Sequence, residues 1–203
     1  MANKDHTLDT PIITAAFHEF INNGYEKTSL RKIAAKANVT IGAIYTRYPT
    51  KNDLFYSLVE PLILNIEDIF QSLKKDYFKQ TFEYSPQFLV EMLKKESDMI
   101  LQLLFQHYDC AVLLLCKSSG SNLENFFDMI VERKIEETLT FFSKTNIKHP
   151  DDTVLRILIR GQFNMYSQII NEGYTLEDAK IILKEIMKYH IGGWLTLFEY
   201  SDQ

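Results

Sequence analysis

Cysteine, proline and glycine are scarce in this chain of 203 residues, at two, five and seven. Two cysteines, Cys110 and Cys116, exclude the framework of a disulfide-stapled secreted domain. Their apolar neighbours, Ala111 to Leu115, place them as buried thiols in a reducing compartment. So few glycines and prolines leave few places to end a helix. No strict apolar–polar alternation is long enough to make a strand. No apolar run approaches the ~20 residues that span a bilayer, and the polar start has no signal-peptide core. A cytoplasmic protein with no membrane partner is expected. Gly-rich phosphate loops and metal-ligand spacings are missing too. His107, Tyr108, Asp109 and Cys110 are consecutive and point in different directions on a helix, which makes a poor catalytic triad or metal site. Nothing here asks for an enzyme, a catalytic residue, a metal or a cofactor.

What is present is helical periodicity on a composition that is 46% hydrophobic, enough for a real core. Charge is uneven along the chain. Residues 1–55 carry seven basic and five acidic side chains, a net of +2, whereas the remainder nets −7. Ordinary surface variation produces such a split, and so does a protein that binds DNA by one end. Breaks at Asn22-Asn23-Gly24, Asn38, Pro49, Ser85-Pro86, Ser118-Ser119-Gly120, His149-Pro150 and Glu172-Gly173 divide the chain into helices. The expected architecture is all-α, with a three-helix DNA-binding head at 1–55 and a larger helical regulatory and dimerisation domain at 56–203.

In the head, Ile12, Ile13, Ala16, Phe17, Phe20 and Ile21 form one apolar stripe, ended by Gly24 in the left-handed region. Leu30, Ile33, Ala34 and Ala37 recur at i, i+3, i+4 and i+7 behind a Thr28 or Ser29 cap. Asn38 sits at the turn, where a residue tolerant of positive φ is wanted. Thr40 then caps a third helix, about 40–47, with Val39 and Ile44 spaced as a hydrophobic staple. Ile44 and Tyr48 face inward, which leaves Ile41, Gly42, Ala43, Tyr45, Thr46 and Arg47 outward or at the ends. Pro49 stops this helix, and Thr50 with Asp53 caps the next. Two short helices joined by a tight turn, the second opening on small residues, can press an N-terminal edge into a DNA groove.

The rest reads as helices near 51–78 with an early break at Pro61, then 86–106, 107–117, 121–145, 150–172 and 175–199. The last two are apolar on most of their circumference, so each needs cover on more than one side. A second copy of the chain or the centre of a monomer would supply it, and Gly161, Gly192 and Gly193 would let backbones approach. For a dimer interface the pattern nominates Ile159, Phe163, Tyr166, Ile170, Ile186, His190 and Trp194. Phe70, Phe105, Tyr108, Phe126 and Met129 are candidates for an aromatic ligand pocket taking an apolar or cationic compound, or are plain core.

Residues 12–56 resemble the N-terminal domain of TetR-family (tetracycline-repressor-like) transcriptional regulators. The likeness runs through Asn23-Gly24-Tyr25, Thr28-Ser29-Leu30, Ala37-Asn38-Val39-Thr40, Gly42-Ala43-Ile44-Tyr45 and Tyr48-Pro49-Thr50-Lys51-Asn52-Asp53-Leu54. The resemblance implies a homodimer that binds palindromic double-stranded operator DNA, most often a repressor released by a small-molecule effector. It also implies DNA contacts at Ser29, Thr40, Ile41, Gly42, Ala43, Tyr45, Thr46, Arg47 and Lys51. Hydroxyls and Lys51 suit phosphate, Ile41 and Ala43 suit a thymine methyl, and Thr46 or Arg47 suits a base edge. Three positions depart from the family pattern: Ile41 where a polar or basic residue is frequent, Arg47 where an aromatic or His is usual, and Asn38 for the usual turn glycine. A competing reading makes this a helical interaction or ligand-binding protein whose helix-turn-helix docks on protein instead of DNA.

Overall fold

A computed structural model of the chain describes residues 8–78, 86–145 and 149–200. Among these residues there are nine helices and no strand. They are α1 (Asp9–Lys27), α2 (Leu30–Lys36), α3 (Ile41–Arg47), α4 (Lys51–Phe78), α5 (Pro86–Gln106), α6 (Tyr108–Cys116), α7 (Phe126–Thr145), α8 (Asp152–Glu172) and α9 (Leu176–Tyr200). The described helices group into two compact units. One holds the chain up to Leu64 together with His107–Phe126, and the other holds Asn65–Gln106 with Phe127 onward. The reading from sequence drew one boundary, after residue 55. The contacts group α6 with the N-terminal helices.

In the N-terminal unit the apolar stripes converge on one small core. Ile12, Ala16 and Phe20 of α1 are buried, as are Ile33 of α2, Ile44 of α3, and Leu54, Phe55 and Val59 of α4. The Phe20 and Phe55 rings meet edge-to-face with centroids 5.1 Å apart, an arrangement aromatic pairs prefer. Gly24 lies at φ +71°, as its place after the apolar stripe predicts, but one further turn carries α1 on to Lys27. The Tyr25 amide donates to the Lys117 carbonyl at 2.8 Å, tying the end of α6 to that turn.

Two expectations shift. Pro61 lies inside α4 and does not end it. An interior proline costs about 3 kcal/mol. The buried Val59 and Leu62 flank it, and each such side chain contributes about 1.5–3 kcal/mol on burial. The helix expected from 121 starts instead at Phe126. The segment before it folds as turns, with Ser121 N donating to Ser118 O at 2.9 Å and Leu123 N to Ser121 Oγ at 3.0 Å. Ser85, in the break expected before α5, lies outside the described residues.

The second unit is built from the end of α4 with α5, α7, α8 and α9. Its core joins Val131, Ile135, Phe141 and Phe142 of α7 to Leu155, Ile159 and Phe163 of α8 and Trp194 of α9. Asp151 caps α8, accepting from Thr153 N at 2.8 Å, and Gly173 at φ +73° closes it.

Here the residues nominated for a dimer interface take a different place. Ile159, Phe163, Tyr166, Ile170 and Trp194 are buried within the unit, and Ile186 and His190 are half-buried. A buried side chain has no surface left to give a partner. Ile159, Phe163, Tyr166 and Ile170 recur at i, i+4, i+7 and i+11, so they form one apolar stripe of α8, and the unit's own core takes it.

Candidate nucleic-acid interface

Helices α2 and α3 are short, and local capping determines where each begins. Ser29 caps α2, its Oγ accepting from Arg31 N at 3.3 Å. Asn38 takes φ +55° at the turn, and the Val39 amide reaches back to Ala34 O at 3.0 Å. Thr40 Oγ1 accepts from Ala43 N at 3.1 Å and so starts α3. Behind α3, Thr50 and Asp53 form a reciprocal box. Asp53 Oδ2 accepts from Thr50 N at 2.8 Å, and Asp53 N donates to Thr50 Oγ1 at 3.1 Å. Such a box satisfies the amides a helix start leaves open.

With Ile44 fully buried, the opposite side of α3 faces solvent. Thr40, Ile41, Gly42, Tyr45 and Thr46 are exposed there, and Ala43 and Ser29 are half-buried at its edge. Tyr45 is 49% exposed. The Thr46 hydroxyl donates to Gly42 O at 2.9 Å within the helix. Between the larger Ile41 and Tyr45 side chains, Gly42 and Ala43 let the backbone itself approach a groove closely.

Two of the expected contacts are engaged inside the protein. The Arg47 side chain is only 7% exposed, with Nε 2.6 Å from Asp9 Oδ1 and Nη1 3.2 Å from Ala43 O. Here Arg47 braces α3 against α1 and presents no guanidinium to solvent. Lys51 is half-buried, with Nζ 3.3 Å from Glu26 O and 4.2 Å from the centre of the Tyr25 ring. Burial lowers the Lys51 pKa, and the Glu26 charge partly opposes that shift.

Sequence reasoning passed over Arg31 and Lys32. Both are exposed on α2, and neither has an ion pair among the described residues. The signal was available: they lie off the Leu30–Ile33–Ala34 stripe, so helical phase puts them on the outer face.

Residues 12–58, which hold all of these side chains except Asp9, match the model of the bacterial regulatory proteins of the tetR family. This stretch is a TetR-family DNA-binding domain. The chain is a DNA-binding transcriptional regulator. An HTH-type transcriptional regulator of Staphylococcus aureus strain MRSA252 is 22% identical over 186 residues, 90% of each chain. Among solved structures, NalD of Pseudomonas aeruginosa, described as the secondary repressor of the MexAB-OprM multidrug efflux pump, superposes with a TM-score of 0.60. It is 22% identical, over 91% of this chain and 95% of its own. FadR of Bacillus subtilis, solved in complex with stearoyl-CoA, gives 0.56 at 21% identity over 88% and 97%. These structural likenesses establish a shared fold.

The second unit holds a cavity of about 900 Å³, its solvent-open mouth included. Aromatic rings of Phe70, Phe141, Phe142, Phe163 and Trp194 form much of its wall. Of the five residues nominated for a pocket, Phe70 lines this cavity and Phe105, Tyr108, Phe126 and Met129 do not. Tyr108 and Phe126 belong to the other unit. Met129 is 55% exposed, because α7 turns Lys134, Thr138 and Phe141 inward and residue 129 is out of phase with them. The polar wall residues carry no aromatic signal in the sequence and look there like ordinary surface positions. Glu96 is buried, and its carboxylate meets the Lys134 ammonium at 2.6 Å.

Proposed function

We propose that this regulator binds a palindromic operator as a homodimer, represses, and is released by a small molecule held in the second unit. The observation that carries the DNA reading is the exposed Thr40–Thr46 strip, started by the Thr40 cap and backed by buried Ile44. Thr40, Tyr45 and Ser29 would meet phosphate, together with Arg31 and Lys32, while Ile41, Gly42 and Ala43 lie along base edges. Lys51 would keep its cation–π seat and lend charge to the edge of the site. NalD's description as a repressor and the stearoyl-CoA in FadR support the repressor and effector parts of this reading.

Dimerisation would use the faces of α8 and α9 that the second unit leaves uncovered. Val154 and Ile157 on α8 and Ile181 and Tyr189 on α9 are exposed large apolar side chains. A Cβ placed on Gly161, Gly192 or Gly193 would meet no atom within 4 Å, so a partner helix could come close there. Effector binding would favour a head spacing that no longer fits successive major grooves, about 34–36 Å apart on one face of the duplex.

The test is gel retardation of DNA flanking the coding region. Retardation should weaken steeply between roughly 50 and 200 mM salt, because releasing counterions into more concentrated salt gains less free energy. Tyr45→Ala should lower affinity about tenfold, of the order of one good polar contact, with helicity unchanged. A chain that retards none of this DNA at low salt would favour the protein-docking alternative.

A further inference from the structure

The cavity of the second unit also points to the chemistry of what it holds, and this inference rests on reading that unit as the effector domain. Its buried charges are already satisfied by each other. Glu96 and Lys134 lie 2.6 Å apart with both side chains largely enclosed. A third charge placed beside them would be left without a counter-ion in a poorly solvated wall, which is strongly unfavourable. One wall residue is different. Gln162 of α8 is only 7% exposed, lines the cavity, and makes no hydrogen bond to any described residue. Its amide is not sealed in protein but opens into the cavity, so its hydrogen bonds go to whatever fills that space. It carries both a donor and an acceptor, and the surface around it is aromatic, from Phe163, Phe142 and Trp194.

We propose that the cavity takes an uncharged, mostly apolar molecule bearing one carbonyl, amide or hydroxyl group, which hydrogen-bonds to Gln162. The apolar body packs on the rings, and the enclosed Glu96–Lys134 pair offers no free counter-charge; of the other charged wall residues, Glu137 pairs with Arg133 and Lys74 is exposed, where solvent screens its charge. Gln162 acts as the specificity-determining residue of the site.

Trp194 is the single tryptophan of the chain and lines the cavity, so its fluorescence reports occupancy directly. The full-length chain is titrated with octanamide, octanoate and octylammonium, which share an apolar tail and differ in head-group charge. Octanamide should bind about tenfold or more tighter than either ion. Gln162→Leu, which keeps volume, should weaken octanamide roughly five- to tenfold, the worth of one net hydrogen bond, and leave octanoate unchanged. Tightest binding by either ion, no quenching by any of the three, or unaltered octanamide affinity in Gln162→Leu with native helicity would overturn the inference. The preference of the unaltered protein decides the matter even if the variant misfolds. Retardation assays run in parallel keep the regulatory reading separate. Octanamide that quenches Trp194 but leaves DNA bound upholds the cavity's chemistry and counts against release by its occupation.

Discussion

Arg47 closes one end of α3 against α1, its guanidinium held by Asp9 and by the Ala43 carbonyl. A charge this enclosed gains from its partner only while both are present. Arg47→Ala should therefore lower the stability of the N-terminal unit by about 1–3 kcal/mol, the range for a lost charged hydrogen bond, measurable by urea unfolding. Base preference in a randomised-operator selection should stay the same. A relaxed preference with unchanged stability would return Arg47 to the base edge. Residue types and spacing alone could not distinguish these roles, since Asp9 lies 38 positions away in sequence and only the fold brings the two together. By contrast, the positions of Asn38, Thr40 and the Thr50–Asp53 box were legible from the chain, because capping and positive φ are settled within three or four residues.

Helix α9 shows how an element's energetics follow from the face it buries. Ala179, Leu183, Met187 and Trp194 are buried along one stripe, and His190 lies half-buried beside it. Burial lowers the His190 pKa below its ordinary value. The unfolded chain then binds a proton that the folded chain refuses in the interval beneath ~6.5. Stability from this group is thus complete above that pH and declines as pH falls through the interval. Melting temperature should drop between pH 7 and pH 5, and His190→Gln should flatten part of that slope. An identical slope in the variant would assign the acid sensitivity to other groups. Helix existence was readable throughout, whereas Pro61 inside α4 and the late start of α7 were not. Packing of Val59 and Leu62 outweighs the one, and hydrogen bonding around Ser121 replaces helix in the other.

At the scale of the whole molecule, the proposed dimer rests on the faces of α8 and α9 that the second unit leaves exposed. Ile157 is 66% exposed, while Ile159, two residues on, is buried. Ile157→Glu should yield a monomer in sedimentation at micromolar concentration with helicity intact. Ile159→Glu should unfold the second unit, because it buries an unpaired charge. An Ile157→Glu protein that still sediments as a dimer would move the interface elsewhere. The sequence nominated the side that the unit itself buries, because one apolar stripe suits an internal core or a partner's surface equally well and periodicity does not say which. The same ambiguity hid the cavity wall, where Gln162, Glu96 and Lys134 look like ordinary polar positions until three helices converge on them. The helical class, the placement of the helix-turn-helix and its caps, and the family likeness all reside in local order along the chain, since each depends on neighbours within about one or two turns. The engagement of Arg47, the inward turn of Ile159, Phe163 and Trp194, and the unpartnered amide of Gln162 arise only from packing. They depend on residues tens of positions apart competing for the same enclosed volume, and no short-range pattern records which of them prevails.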